Sequence, residues 1–275
     1  MELSKEEAVA KNERLRWWIG EIEKNGFEDV CALNVDKKPT SGFEFFFTAM
    51  KDNQKIFIKC GNGDFYAKKE YDVYQLLHSI EPKYFPLALM YKHYENNKMM
   101  LAMEYIDGIT LNKVDYKSVS SEFLNNMFDS LYNIGQVLFE NKFIHRDFHA
   151  ENLIVEVNGN IKCIDFQHLL GGQFVEAEEN IENPKRLRGT NKRLRPAPYV
   201  WDDMYSIAKI MQKFPKDKIE DYDRKFSDID SKVGKLRYHF LDNKFKLKAY
   251  FNLKMLIVYK FINAIWKPFR NLLRK

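Results

Sequence analysis

The sequence predicts an α+β protein with two lobes, in which a small antiparallel sheet comes first and a larger group of helices follows. The segment 29–59 is rich in aromatic and β-branched residues with turn signals between them, as expected of short antiparallel strands. After a single linker, the segment 118–141 repeats apolar residues at helical spacing. The predicted divisions are an N-terminal helical extension (1–28), a sheet lobe (29–105), a helical lobe (106–234) and a basic amphipathic C-terminal region (235–275).

The composition limits the class of protein. The chain has 275 residues and 45% hydrophobic residues, enough for a sizeable core. Its three cysteines are widely spaced without a C-x-x-C pair, which favours a reducing cytoplasm over a disulfide framework or a zinc site. The charged start lacks an apolar signal core, and no uninterrupted run of about 18 apolar residues occurs, so we expect neither export nor a membrane span.

The first lobe is predicted element by element. Residues 1–24 are typical of a polar helix that ends at Gly26. The phenylalanines at 43, 45 and 47 alternate with Gly42, Glu44 and Phe46, which indicates a strand. Asp52-Asn53 offers a turn before a second strand at 55–59.

The remaining elements lead to the second lobe. A helix is predicted at roughly 65–79 and a buried strand at 99–105, followed by a turn at Asp107-Gly108. The long amphipathic segment 118–141 is predicted to be a core helix, and a further helix is expected at 201–214.

The run from His145 to Asn152 carries the chemistry. It has the spacing H-R-D-x-x-x-x-N, and Asp165 follows it after a predicted hairpin with a turn at Asn158-Gly159. Phosphoryl transfer from ATP needs a carboxylate near the acceptor hydroxyl and oxygen ligands for Mg²⁺, and Asp147, Asn152 and Asp165 supply this set. A purely structural polar turn is the alternative, but it predicts neither the asparagine nor the hairpin.

The order of these parts over roughly 29–213 resembles the protein-kinase-like fold. Within it, the motif from Asp147 to Asn152 together with Ile164-Asp165-Phe166-Gln167 is similar to the lipopolysaccharide core kinase family, the heptose and Kdo kinases. Protein kinases typically carry lysine two residues after the catalytic aspartate and glycine after Asp-Phe. Here those positions are His149 and Gln167.

The resemblance implies an ATP site in the first lobe. Lys59 resembles the strand lysine that holds the ATP phosphates, and Glu70 resembles its ion-pair partner, with Glu81 as the rival. The backbone of Glu104 and Tyr105 lies where the hinge of this fold binds adenine.

The resemblance also implies roles in the catalytic loop. Asp147 is the base or acceptor orienter, while Asn152 and Asp165 bind Mg²⁺. His149 either contacts the transferred phosphoryl group or caps the loop. Two residues are expected to give structural support: Arg146 and Asp203, the latter with a plain helix N-terminal acid as its alternative.

The sequence departs from the protein-kinase pattern at two places. Thr40-Ser41-Gly42-Phe43 has one glycine, Gly42, where protein kinases have several close to the phosphates. No Ala-Pro-Glu follows Asp165. A doubled Lys-Arg-Leu-Arg, at 185–188 and 192–195, replaces the segment with which protein kinases bind peptide.

The doubled basic segment predicts an anionic acceptor. Arginine binds carboxylates and phosphates bidentately, which suits an anionic glycan or lipopolysaccharide. A solvated loop balanced by the glutamates of 176–182 is the alternative. Nucleic acid is not expected, because interleaved aromatic residues are lacking. The candidate acceptor-binding residues are Arg186, Arg188, Arg193 and Arg195.

The stretch 244–275 holds many lysines and arginines and no acidic residue, with apolar residues between them. This pattern is typical of an interfacial helix that makes peripheral contact with an anionic membrane. Final core helices with snorkelling lysines are the alternative.

We therefore expect an ATP- and Mg²⁺-dependent kinase of the cytoplasm, associated with the cytoplasmic face of the inner membrane. Its expected substrate is a sugar hydroxyl of the lipopolysaccharide inner core. Alternatives are a protein kinase, a small-molecule phosphotransferase of the aminoglycoside or choline type, and a pseudokinase scaffold without activity.

Overall fold

The fold is described from a computed structural model over residues 5–33, 43–62, 64–176, 187, 190–191, 194–197 and 199–239. The chain divides into two compact units, Met1–Gly108 with Lys162–Gln167, and Ile109–Ile161 with His168–Lys275. An antiparallel sheet dominates the first unit and helices dominate the second, so the predicted α+β architecture is confirmed. The domain boundaries expected near residues 28, 105 and 234 stay predictions.

The first unit is built on a five-stranded antiparallel sheet. Its strands are Glu28–Leu33 (β1), Phe43–Lys51 (β2), Gln54–Asn62 (β3), Ala88–Tyr94 (β4) and Lys98–Glu104 (β5), in the spatial order β1-β2-β3-β5-β4. Asp52 and Asn53 join β2 to β3 with φ of 51° and 61°, the two-residue turn that twisted hairpins favour. Because β3 pairs with β2 and β5, Lys59 lies on a central strand.

Two helices complete the first unit, Lys5–Lys24 (α1) and Asp64–Ile80 (α2). Trp18 and Ile22 of α1 are buried in one apolar cluster with Phe45, Phe47 and Ile58 of the sheet. The alternation of phenylalanines along β2 therefore buries one face of the strand, as predicted. The N-terminal helix contributes to the core of this unit.

Three helices of the second unit pack together, Ser121–Glu140 (α3), Asp203–Met211 (α4) and Tyr222–Lys232 (α5). Ser120 caps α3 by accepting a hydrogen bond from the amide of Phe123 at 3.2 Å. The buried apolar residues of α3 recur at helical spacing: Leu124, Met127, Phe128, Leu131, Ile134 and Leu138. The predicted core helix is therefore confirmed.

Gly135 of α3 allows a close approach of these helices. A Cβ placed at Gly135 would lie 2.9 Å from Cδ1 of Ile229 and 3.1 Å from Cδ1 of Ile207. Ile229 belongs to α5 and Ile207 to α4, so a larger residue here would push both helices away from α3.

Three short strands flank the catalytic loop: Gly108–Thr110 (β6), Leu153–Glu156 (β7) and Ile161–Cys163 (β8). They form a small sheet in the order β6-β7-β8. Gly159, with φ of 85°, lies in the turn between β7 and β8, so the predicted hairpin is confirmed. Farther along the chain, Val200–Trp201 (β9) pairs with Tyr238–His239 (β10).

Some predictions fall outside the described residues. These are Gly42, the arginines at 186, 188 and 193, and the C-terminal region beyond residue 239. Among the helices that the structure describes, none has the length and apolar character needed to cross a membrane.

Candidate active site

Two acidic side chains converge on Lys59 in the first unit. The Nζ atom of Lys59 lies 2.7 Å from Oε1 of Glu70 and 3.7 Å from Oδ1 of Asp165. Lys59 comes from β3 and Glu70 from α2, while Asp165 follows β8 in the segment Lys162–Gln167 of the same unit. Glu81 does not pair with Lys59, since its carboxylate accepts a hydrogen bond from the amide of Lys83.

The two carboxylates keep Lys59 charged. Burial lowers the pKa of Lys59, but the charges and hydrogen bonds of Glu70 and Asp165 outweigh it, and the net shift is upward. Lys59 therefore stays cationic over the physiological pH range. A fixed ammonium group on a central strand is suited to holding phosphate oxygens.

The catalytic loop in the second unit is fixed by a buried acid of α4. Oδ2 of Asp203 accepts a hydrogen bond from the amide of His145 at 2.5 Å, and Oδ1 accepts one from the amide of Arg146 at 3.3 Å. Arg146 has a φ of 67°, a left-handed conformation that is uncommon for residues other than glycine. Asp203 thus holds the turn that presents Asp147.

Two neighbouring acids at the start of α4 accept hydrogen bonds from different segments. Asp202 caps the helix, since Oδ1 accepts from the amide of Tyr205 at 3.0 Å. Asp203 turns to the loop instead. Burial raises the pKa of Asp203 to about 7, helped by the charge of Asp202 and opposed by the hydrogen bonds from His145 and Arg146.

Arg146 is buried with polar and aromatic partners. Its Nη1 and Nη2 atoms lie 2.5 Å and 3.2 Å from the two carboxylate oxygens of Glu176. Its Nε donates to the carbonyl oxygen of His168 at 2.6 Å. The guanidinium carbon lies 5.6 Å from the ring centre of Trp201 and 5.3 Å from that of Tyr238. This bidentate pair ties the segment after Asp165 to the catalytic loop.

Asp147 has polar neighbours at both carboxylate oxygens. Oδ1 accepts a hydrogen bond from the amide of Asn191 at 2.6 Å, and Oδ2 lies 3.6 Å from Nε2 of His149. Burial alone would raise the pKa of Asp147, but His149, the Asn191 amide and the charge of His145 together lower it. The carboxylate is therefore ionised at neutral pH, and 17% of the side chain stays accessible.

His149 caps the turn that follows it. Its Nδ1 accepts a hydrogen bond from the amide of Glu151 at 3.2 Å, at the start of the 3₁₀ turn Ala150–Asn152. Capping was one of the two predicted roles of His149. Its contact with a transferred phosphoryl group stays a prediction.

Asn152 and Asp165 each fit a role as an oxygen ligand of Mg²⁺. The Nδ2 atom of Asn152 donates to the carbonyl oxygen of Asp147 at 3.0 Å, which leaves its amide oxygen for a ligand. Asp165 contributes a carboxylate that is 26% exposed. Mg²⁺ takes few protein oxygens and binds phosphates and water besides. Among the described residues, no group of three or more histidine, cysteine or acidic side chains could hold a metal ion by itself.

The side chains at the predicted adenine-binding segment have other partners. The carboxylate of Glu104 is 2.8 Å from Nζ of Lys162 and accepts from the amide of Leu87 at 3.2 Å. Nζ of Lys55 lies 4.1 Å above the ring of Tyr105. The predicted contact with adenine through the backbone of these residues stays a prediction.

Arg195 belongs to the described residues, unlike the other three candidate acceptor arginines. Its Nη1 donates to the carbonyl oxygens of Leu187 and Thr190, both at 3.3 Å. Its guanidinium lies 5.8 Å from the ring centre of Tyr199. These contacts join Arg195 to its described neighbours, and acceptor binding by this residue stays a prediction.

Three residues of the site escaped the sequence analysis: Tyr74, Glu176 and Asn191. The hydroxyl of Tyr74 accepts a hydrogen bond from the amide of Asp165 at 3.0 Å. Glu176 and Asn191 reach Arg146 and Asp147 across 30 and 44 residues of sequence. The position of Tyr74, one helical turn after Glu70, is the only local signal for any of them.

Comparisons with known proteins point to the same fold. The family model of the ABC1 atypical kinase-like domain matches residues 66–171, which contain α2, the catalytic loop and Asp165. The chain is 27% identical over 173 residues to the MAP kinase kinase MKK1/SSP32 of Saccharomyces cerevisiae, covering 58% of this chain and 34% of that protein. It is 26% identical over 151 residues to the dual specificity protein kinase zak2 of Dictyostelium discoideum, covering 53% and 22%.

A third relative is the serine/threonine-protein kinase CLA4 of Candida albicans, 27% identical over 133 residues, which are 46% of this chain and 14% of the relative. The chain thus spans about a third or less of the length of these relatives. Its sheet, its helices and these similarities agree on a kinase-like domain with an α+β fold.

Proposed function

We propose that this chain is an ATP-dependent kinase that uses Mg²⁺ and phosphorylates a sugar hydroxyl of the lipopolysaccharide inner core. The observation that carries the kinase activity is the buried ion pair of Lys59 and Glu70 with Asp165 3.7 Å from the same ammonium group. A lysine that served only the core would not need a second, partly exposed carboxylate beside it.

Each residue has a defined task in the proposed reaction. Lys59 binds phosphate oxygens, and Glu70 holds Lys59 in place. Asp165 and Asn152 would each supply an oxygen ligand to Mg²⁺, which would neutralise charge on the phosphates. Asp147 orients the acceptor hydroxyl and accepts its proton, since its carboxylate is ionised and partly exposed.

The anionic sugar acceptor is supported by the sequence around the site. His149 and Gln167 stand where protein kinases carry lysine and glycine, a pattern similar to heptose and Kdo kinases. Kdo carries a carboxylate and the inner core carries phosphates, which match the cations of the doubled Lys-Arg-Leu-Arg segment. Six positive charges in that segment would also raise the local concentration of any anionic acceptor.

A protein kinase is the second candidate. The similarities to the yeast, Dictyostelium and Candida kinases favour it, since their names describe kinases that act on proteins. The missing Ala-Pro-Glu after Asp165 speaks against a peptide-binding segment of the usual kind.

The proposed site of action is the cytoplasmic face of the inner membrane. This location rests on the basic amphipathic sequence 244–275, in which each cation near an anionic leaflet contributes about 1 kcal/mol. Co-sedimentation with vesicles containing anionic lipid tests it. Binding should fall as salt rises and should be absent with neutral vesicles, whereas equal binding to both vesicles contradicts it.

The decisive experiment uses labelled ATP with heptose-, Kdo- and peptide-type acceptors, and mass spectrometry of the products. Phosphate on a heptose or Kdo acceptor, in reactions that require Mg²⁺, is the expected result. Phosphate on peptides alone establishes the second candidate. Absence of transfer to every acceptor, together with no ATP hydrolysis, supports a scaffold role and overturns the proposed activity.

A further inference from the structure

Tyr74 is a core residue of the first unit, but packing alone does not explain its hydroxyl group. The residue is fully buried on α2, one turn after Glu70. Its ring contacts Phe166 edge to face, with ring centres 5.1 Å apart. Its hydroxyl accepts a hydrogen bond from the amide of Asp165 at 3.0 Å. The ring thus packs on one residue of the Asp165-Phe166 pair, and the hydroxyl bonds the other.

Asp165 needs such a contact. Its φ of 68° lies in the left-handed region, which an L-residue other than glycine adopts only where its surroundings hold it there. The direction of the Asp165 carboxylate depends on this backbone conformation. A hydrogen bond to the amide of the strained residue is a direct means of keeping it.

A phenyl ring would serve packing as well as Tyr74 does. A hydroxyl in a fully buried position costs free energy unless it has hydrogen-bond partners, so a hydroxyl at this position needs a reason. Its contact with the Asp165 amide provides one. Burial raises the pKa of Glu70, and a hydrogen bond with the Tyr74 hydroxyl is among the contacts that lower it.

We propose that the Tyr74 hydroxyl is a positioning group, which holds the backbone of Asp165 and thereby the direction of the carboxylate that would bind Mg²⁺. This role rests on the proposed kinase function. Because Tyr74 and Glu70 lie on the same helix, α2 sets both the partner of Lys59 and the orientation of the metal-binding carboxylate. Partners that orient a metal ligand typically contribute about 10- to 100-fold to metal affinity or activity.

The test compares Tyr74→Phe with Tyr71→Phe. Both changes remove one hydroxyl from α2, but the hydroxyl of Tyr71 makes no hydrogen bond to any described residue. In the full-length enzyme, Tyr74→Phe should raise the half-saturating Mg²⁺ concentration about 10-fold or more. The KM for ATP at saturating Mg²⁺ should change less than about 2-fold, because the contacts of Lys59 with the phosphates are intact. Tyr71→Phe should match the wild type in both.

Two readouts do not depend on turnover. Binding of Mn²⁺ in the presence of a non-hydrolysable ATP analogue, followed by electron paramagnetic resonance, should weaken in Tyr74→Phe by a similar factor. Hydrogen exchange of the Asp165 amide should be slow in the wild type and in Tyr71→Phe, and faster in Tyr74→Phe. If Tyr74→Phe proves too unstable to purify, the wild type alone is measured. Slow exchange of the Asp165 amide then supports its hydrogen bond to Tyr74, and fast exchange contradicts it.

Unchanged Mn²⁺ affinity and unchanged amide exchange in Tyr74→Phe would overturn this role. Equal losses in ATP and metal binding, with a lowered melting temperature, would also overturn it, since they indicate a structural effect alone. Failure of the wild type to transfer phosphate to any acceptor concerns the proposed function instead, and the Mn²⁺ and exchange measurements separate the two outcomes.

Discussion

At the residue scale, Asp147 is held by its neighbours in an ionised state. The Asn191 amide and His149 contact its two carboxylate oxygens, and these contacts lower its pKa against the effect of burial. A carboxylate with a low pKa is a weak base. In the proposed reaction, we therefore expect Asp147 to contribute more through orientation of the acceptor hydroxyl than through basicity.

Asp147→Asn tests that role. We expect transfer to fall by about 10²-fold or more, because positioning and base effects of one side chain typically amount to 10²–10⁴-fold. The KM for ATP should change little. Steady-state kinetics with the best acceptor measure both. Asp223→Asn, which changes a surface acid of α5 that is 73% exposed, is the matched control. Activity of Asp147→Asn within a few-fold of the control would refute the assignment.

Asp165→Asn, unlike Asp147→Asn, should change the dependence of activity on Mg²⁺. It removes an anionic oxygen ligand and one of the two charges that face Lys59, so the Mg²⁺ concentration needed for half-maximal activity should rise along with the loss of rate. A metal titration at fixed ATP measures this. A titration curve that superimposes on the wild type counts against Asp165 as a ligand.

Asp203 predicts a pH-dependent stability. Its pKa in the folded protein is about 7, against an ordinary value of 3.8, because burial favours the neutral form. The folded state then binds a proton more tightly than the unfolded state, and this stabilisation is complete below about pH 4. As pH rises through about 7, it is lost.

Urea unfolding of wild type and Asp203→Asn between pH 4.5 and pH 8 measures this effect. The free energy of unfolding of the wild type, relative to the variant, should decrease as pH increases over this range. The asparagine variant has no titrating group at this position and serves as the baseline for the wild type. A difference that stays constant with pH would show that Asp203 is ionised throughout.

At the element scale, the segment after β8 and the catalytic loop are joined by Arg146 and Glu176. The side chains are 1% and 8% exposed, so removal of one charge leaves the other buried without compensation. Such a loss typically costs about 3–5 kcal/mol. Glu176→Gln should therefore destabilise the fold by an amount of this order and lower kcat, because Arg146 directly precedes Asp147.

Two variants sharpen the test of this pair. Glu176→Asp keeps the charge and should recover part of the stability and of kcat. Tyr238→Phe removes only the hydroxyl that lies 3.2 Å from Glu176, so its effect should be smaller. Urea unfolding and kcat at saturating ATP measure both properties. Equal losses in all three variants would show that packing in this region, and not charge, is responsible.

At the scale of the whole molecule, the sequence predicts the elements and the loop better than the contacts between them. The β2-β3 hairpin follows from Asp52-Asn53, and α3 follows from its apolar period, since both signals are local. Asp147, Asn152 and Asp165 could be proposed because their spacing is a motif.

The missed residues depend on distant segments. Glu176 and Asn191 act on a loop that lies 30 and 44 residues earlier, and no local pattern encodes which acid or amide will arrive there. The adjacent acids Asp202 and Asp203 carry equal helix-start signals. Only the tertiary structure directs one to the helix amides and the other to the loop amides.

The predicted binding of an anionic acceptor depends on the positive charges of the doubled Lys-Arg-Leu-Arg segment. Replacement of Arg186, Arg188, Arg193 and Arg195 by glutamine should raise the KM for the acceptor without a comparable rise for ATP. Partly exposed charges act over a Debye length of about 8 Å at physiological ionic strength, so rising salt should mimic the variant. Phosphates bound to Lys59 and Mg²⁺ are screened less.

A second quadruple variant controls for net charge. It replaces four exposed cations near the ends of α4 and α5: Lys213, Lys216, Lys218 and Arg224. Both KM values, measured across a salt series, should resemble the wild type in this control. An equal response of acceptor and ATP in the arginine variant would remove the basic segment from the acceptor site.

Arg146 receives its negative partner from its own chain, and the cell therefore has no need to add one. A buried guanidinium requires a counter-charge, and Glu176 supplies it as soon as the chain has folded. We expect folding alone to neutralise Arg146, with no added anionic group needed for this contact.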